Sequence, residues 1–450
     1  MPHAETGGDQ YSTGQQEGRT MIGNRIETNI SGGLDVSLPA MVPVKVAFEN
    51  RRVEDIAKTV AEQFKAPAIR DKIKPGAAIA IGCGSRGVAN IAGTVRAVVD
   101  QIKALGAEPF IFPAMGSHGS ATAEGQRAVL EGYGITEDNV GCPIRASMET
   151  HVLGDMPDGT PVHMDRHAHQ ADGIVLINRI KPHTNFRGAL ESGIVKMMTI
   201  GMGKIKGATA IHFHGMDTFG EMLPPMAEYI MARVPFLFGV GLVENAYHDT
   251  AHLESIPAET LLTREAELQT LAKELMGCLY FDQIDVLIIE EMGKEISGAG
   301  FDPNVTGRPN REMGAWDGPK IKKIVVLDLT RKTNGNATGV GLADVITMKL
   351  FQKIDIAPTY ANTITSAFLD GAAIPLIMNT GEEAIKLAVK TSIRVRPEDC
   401  RIVRIKNTLD VFQIMVSEPM LEEVAAHSAM EAMGGAVPIL FGPNGDLEAA

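Results

Sequence analysis

Residues 77–105 read AAIAIGCGSRGVANIAGTVRAVVDQIKAL, and this stretch decides the fold. Ala77–Gly82 is an unbroken apolar run, the pattern of a strand buried on both faces. Gly82–Gly87 (GCGSRG) reads as a turn. Beyond it apolar residues fall at Val88, Ile91, Val95, Val98, Ile102 and Leu105, the spacing of a helix with one buried face. The same order recurs downstream. Glu108–Ala114 (EPFIFPA) reads as a second strand, followed by a Gly-rich turn and a helix from Thr122 to Gly132. Gly173–Asn178 (GIVLIN) is a third strand. Repetition of strand, turn and helix implies a parallel sheet with helices on both faces.

Pro257–Met276 is a charged helical stretch that reads as a connector. After it the pattern restarts. Ile284–Ile289, Ile321–Leu327 and Arg401–Ile405 read as strands, and Val340–Ile354 and Glu382–Lys390 as helices. The expected fold class is α/β, with two α/β domains, mainly parallel sheets and an active-site cleft between them. Residues 1–40, rich in Gly, Gln, Thr and Ser, read as a mobile tail. Residues 41–275 form the N-terminal catalytic and cofactor domain, and residues 276–450 a C-terminal α/β domain.

The 450 residues exceed one ordinary core. A formal charge of −13 argues against nucleic acid as a partner, although local clusters can still hold small anions. No run of eighteen apolar residues occurs, so no membrane span is expected. The four cysteines (Cys83, Cys142, Cys278 and Cys400) are far apart and read as reduced thiols of a cytoplasmic protein. The first residues lack the basic and apolar regions of a secretory signal.

Candidate chemistry gathers at the turns after strands. Arg86 in GCGSRG could fork onto a carboxylate or phosphate; a plain βα turn with a surface arginine explains it equally well. His118 in MGSHGS is flanked by glycines and can exchange a proton near neutral pH. His183 in KPHTNF repeats that placement. Lys196 follows thirteen residues later, and His212 sixteen after that. His212-Phe213-His214 would put two imidazoles on one face of a strand, a weak metal signal. His163, His167 and His169 read as a solvated loop. Lys294 in the Gly-rich loop 293–304 is a cation at a strand end, suited to a carboxylate across the cleft. Asp302-Pro303-Asn304 reads as turn chemistry.

Together these positions resemble the lactate racemase family, the enzymes that carry the nickel-pincer nucleotide (nickel pyridinium-3,5-bisthiocarboxylic acid mononucleotide). The resemblance spans about residues 45–415. It matches Arg86 and Lys294 to the substrate-binding arginine and lysine, and His118 and His183 to the catalytic histidines. Lys196 matches the lysine that tethers the cofactor covalently, and His212 the metal ligand sixteen positions on. One segment departs from the pattern: FRGALESGIV (186–195) is longer than its family counterpart, which reads as a Gly-Gly turn, and it carries Arg187 and Glu191. The chain therefore resembles a branch of the family.

The resemblance implies a 2-hydroxy acid racemase or epimerase. Hydride leaves C2 for the cofactor and returns to the other face, while two histidines exchange the hydroxyl proton. It also implies a small-molecule 2-hydroxy acid as substrate and cofactor-synthesising enzymes as partners. Arg187 would add an anion contact. Two other readings stand beside it: a metal-dependent hydrolase built on His212 and His214 with a carboxylate such as Glu191, and a non-catalytic protein that binds an organic acid.

Overall fold

The computed structural model describes residues 23, 25–27, 29–84, 87–314 and 316–448. Two sheets organise it. The five-stranded sheet has the order Glu108–Pro113, Ala78–Cys83, Gly173–Arg179, Phe236–Glu244, Thr250–Pro257. Its first four strands are parallel and the last pairs antiparallel. The inner strands are mostly apolar because helices cover both faces, whereas the edge strand Thr250–Pro257 mixes polar and apolar residues. Helices Ile56–Gln63 and Ile91–Ala104 pack on one face, around Val60, Val95 and Val98. Helices Lys204–His212, Phe219–Met231 and Leu261–Leu275 pack on the other, around Leu176, Ile194 and Leu268.

The eight-stranded sheet runs Leu376–Met378, Val345–Thr347, Lys320–Leu329, Gln283–Met292, Ile402–Ile405, Gln413–Ser417, Met41–Val46, Met430–Ala432. Its first five strands are parallel and the remainder antiparallel. The architecture is thus α/β with mostly parallel sheets, as the sequence predicts.

Several local expectations are corrected. The first strand, Met41–Val46, joins the sheet of the C-terminal half, where its alternating buried residues face that core. Ile30, Leu34, Val36 and Leu38 pack against the same sheet, so this part of the expected tail is held by apolar burial. Residues 1–22 lie outside the described residues. Val340–Ile354 is not one helix: it divides into a turn at Val340–Leu342, the strand Val345–Thr347 and a short helix Met348–Phe351. The β-branched run Val345-Ile346-Thr347 is fully buried between parallel neighbours, which overrides the helical spacing. His163 lies on a strand of the hairpin Thr150–Asp155/Pro161–Asp165, and His167 and His169 on a helical turn. They do not form a solvated loop, and His169 stacks on His151 with centroids 3.9 Å apart. Among the described residues, no helix is long and apolar enough to cross a membrane.

Candidate active site

The strands ending at Pro113, Cys83 and Arg179 are neighbours, and the chain visits the middle one first. That makes their carboxyl ends a topological switch point, where open α/β sheets bind ligands. His118 follows the first of these strands, Arg86 the second and His183 the third. Arg86 lies outside the described residues.

His183 is held at its backbone N–H and at both ring nitrogens. Its backbone N–H donates to Glu191 Oε2 (2.7 Å). Its Nδ1 accepts from the Asn185 N–H (3.0 Å), which leaves the proton of the neutral ring on Nε2. Nε2 lies 2.6 Å from Lys196 Nζ. The ring packs on Phe186 at 4.3 Å between centroids.

Lys196 ends the short helix Ile194–Lys196, which continues into a single π-helical stretch, Met197–Gly201. Such π-bulges often mark functional sites. The start of this turn is fixed from below by Glu265 on helix Leu261–Leu275. Its buried carboxylate accepts from the N–H groups of Ile194 and Val195, each at 3.1 Å. Burial pushes the Glu265 carboxyl up to about 8, against the lowering effect of those two N–H donors. Gly193 is required here, because a Cβ would lie 2.0 Å from Glu265 Oε1.

His212 stands at the end of helix Lys204–His212, not on a strand. The alternation with His214 therefore does not place both rings on one face. His212 Nδ1 donates to the Ala208 carbonyl (2.6 Å), and His214 Nε2 lies 2.7 Å from Thr160 Oγ1. Burial lowers the His212 pKa. The imidazole is thus held neutral with Nε2 as the open electron pair, the form that binds a metal. His183, Phe186, Phe219 and His212 form a continuous run of ring contacts, with centroids 4.3, 5.4 and 5.2 Å apart.

The exposed His118 sits on a loop that docks on the same helices. The Gly116 N–H donates to the Gly201 carbonyl (3.0 Å), and a Cβ on Gly201 would meet the Ala114 carbonyl at 2.5 Å. A buried polar network holds this loop. Gln126 donates to the carbonyls of Gly116 (2.8 Å) and His118 (3.2 Å). Lys204 Nζ donates to Gln126 Oε1 (3.2 Å) and to the Pro113 carbonyl, and pairs with Asp165 at 3.0 Å. Lys204, Asp165 and Gln126 are all fully buried.

Lys294 follows the strand Gln283–Met292 and donates from Nζ to the Gly298 carbonyl (2.9 Å). Its loop faces the His183 turn: Asn304 donates to the His183 carbonyl (3.1 Å), and Asp302 lies 3.7 Å from Lys181 Nζ. Asp302 and Asn304 are therefore contacts between the halves of the chain rather than turn chemistry alone. The structure joins His183, Lys196 and His212 in one cluster, docks the His118 loop beside it and sets the Lys294 loop opposite. Among the described residues, no three His, Cys, Asp or Glu side chains are grouped to hold a metal ion. Glu191, the carboxylate suggested for the hydrolase reading, is bonded to His183, Arg187 and Lys273.

Glu265, Gln126 and Asn185 were not legible as site residues. Glu265 lies in a charged helical stretch, and no local signal separates it from its exposed neighbours.

The fold is α/β with two mostly parallel sheets, and the candidate site combines one lysine with several imidazoles beside the strand ends of the first. The family model described as the lactate racemase N-terminal domain matches residues 28–221, which contain His118, His183, Lys196 and His212. The match covers the N-terminal part of the chain, a little under half of its length. Among solved structures, the lactate racemase apoprotein from Thermoanaerobacterium thermosaccharolyticum is similar, with a TM-score of 0.53 and 15% identity over 83% of this chain and 99% of that one. That likeness concerns the fold. Comparison with curated proteins finds no match.

Proposed function

We propose that this protein is a racemase or epimerase of a 2-hydroxy acid that works with a nickel-pincer nucleotide joined to Lys196. The observation that carries this reading is the 2.6 Å approach of Lys196 Nζ to His183 Nε2, with His212 linked to His183 through the rings of Phe186 and Phe219. The residues fit the group. Lys196 offers an amine for a carbonyl-type link, and His212 a neutral nitrogen for nickel. When bound, the cofactor would accept hydride from C2 and return it, which avoids a carbanion at a weakly acidic C–H.

The chain's own residues supply the proton chemistry. His118 and His183 are the acid and base for the substrate hydroxyl. With Nδ1 accepting from Asn185, His183 keeps its ring proton on Nε2. To exchange a proton through Nε2, Nδ1 must carry the other proton, so the Asn185 contact is the one that lengthens during turnover. Arg86 and Lys294 are the proposed carboxylate holders, and the cation at Lys294 stands on the loop opposite the histidines. On this reading the protein is cytoplasmic and depends on cofactor-synthesising enzymes.

The test is to co-produce the protein with those enzymes and incubate it with single enantiomers of 2-hydroxy acids in deuterated water. Inversion with the C2 hydrogen retained is expected. Inversion with deuterium at C2 would point to proton abstraction and overturn the mechanism. Binding without inversion would favour the organic-acid-binding reading.

A further inference from the structure

The segment that departs from the family pattern, residues 186–195, has a visible task. His183 is held on both sides of its own backbone. Its N–H is bound by Glu191, and its carbonyl accepts from Arg187 Nη1 and from Asn304 Nδ2, each at 3.1 Å. Arg187 reaches further: Nη1 also lies 3.2 Å from Glu191 Oε2, and Nη2 donates to Asn304 Oδ1 (2.6 Å). Its guanidinium stacks 3.4 Å above the ring of Trp316. Asn304 is oriented by Asp302 Oδ1, which accepts from its Nδ2 at 2.7 Å. Glu191 is fully buried and takes a further bond from Lys273 (2.7 Å).

We propose that Arg187 and Asn304 are positioning residues that fix the acid/base histidine, His183, through contact with the C-terminal half of the chain. The inference rests on the role for His183 given above. Three features carry it. Arg187 directs both of its terminal nitrogens onto protein acceptors. Both groups meet on one atom, the His183 carbonyl oxygen. Two of the contacts to this turn come from Asn304, more than a hundred positions away in the chain. A purely structural tie would need only the Arg187–Glu191 pair. The spread of the fork onto His183 and Asn304 instead couples the imidazole's placement to the seating of Asn304 and Trp316. Arg187 recognises this arrangement as a planar fork, which a lysine cannot reproduce.

Trp316 is the only tryptophan of the chain, so its fluorescence reads this contact directly. The experiment uses the full-length protein with Arg187→Lys, which keeps the charge, and Asn304→Asp, which keeps the shape but loses the donor to His183. Three readouts are taken: quenching of Trp316 by acrylamide, the ring resonances of His183 and His212 in histidine-labelled protein, and kcat with KM. We expect greater quenching in Arg187→Lys. In both variants we expect a shifted His183 signal, an unmoved His212 signal, and a fall in kcat of roughly tenfold or more with KM little changed, as small misplacements of a catalytic group cost this much. An unmoved His183 signal in folded Asn304→Asp overturns the proposal. If Arg187→Lys fails to fold, Asn304→Asp alone decides. Should the wild-type protein show no inversion of any hydroxy acid, the proposed function fails, while the fluorescence and ring signals still decide whether these residues place His183.

Discussion

Lys196 shares its cluster with two imidazoles to which the proposed function gives different tasks. His183 approaches it directly, and His212 keeps Nε2 open because Nδ1 is occupied by Ala208. Replacing Lys196 by alanine should abolish the covalent adduct and turnover while leaving the thermal unfolding midpoint within a few degrees of wild type. A fully active variant would remove the tether from the account. His212→Ala should lose nickel, whereas His183→Ala should retain it; metal analysis of both variants distinguishes the roles. Because burial lowers the His212 pKa below its ordinary 6.5, protons compete for Nε2 only at lower pH. Nickel should therefore stay bound as pH falls through 6.5, and release at or above that value would contradict the assignment. At this scale the sequence was informative about residue type and spacing. It could not show that Arg187 is spent on Asn304, since that contact joins positions 117 apart.

The short helix before Lys196 depends on a carboxylate from another element. Gly193→Ala would drive a Cβ into Glu265 Oε1, so it should destabilise the protein by about 1–3 kcal/mol and reduce adduct formation at Lys196. Glu265 also sets a pH dependence. Its folded pKa of about 8 exceeds its ordinary value of 4.5, so the folded state favours the protonated form. Stability from this group is fully present below 4.5 and is lost as pH rises through about 8. The stability of wild type relative to Glu265→Gln should accordingly fall between pH 5 and pH 8 in urea unfolding; a difference that does not change would contradict the burial argument. The second buried device is the Lys204–Asp165 pair under the His118 loop. Lys204→Met leaves Asp165 charged and unpaired, and should cost about 3–5 kcal/mol in the same assay. The strands around these elements were legible because buried parallel strands are continuous apolar runs. Glu265 and Lys204 were not, because a buried ionisable side chain leaves no mark on local hydrophobic spacing.

Across the whole molecule, the two sheets share the work of building one site. The N-terminal half supplies the histidines and Lys196, and the loop that contains Asp302 and Asn304 reaches them from the second sheet. Repeated strand–turn–helix units made the α/β class readable. The crossing of Met41–Val46 to the far sheet was not readable, since pairing over almost four hundred residues has no local signature. The packing of Leu34 and Leu38 on that sheet has an energetic consequence. Leu34→Ala with Leu38→Ala should lower stability by about 2 kcal/mol, seen as an earlier unfolding transition; no change would mean the segment contributes nothing. The most direct test of the central claim is mass spectrometry of the Lys196 peptide, with metal analysis, on protein co-produced with the cofactor-synthesising enzymes. The account predicts a nucleotide-sized adduct on Lys196 and bound nickel. An unmodified Lys196 with zinc or no metal would contradict it.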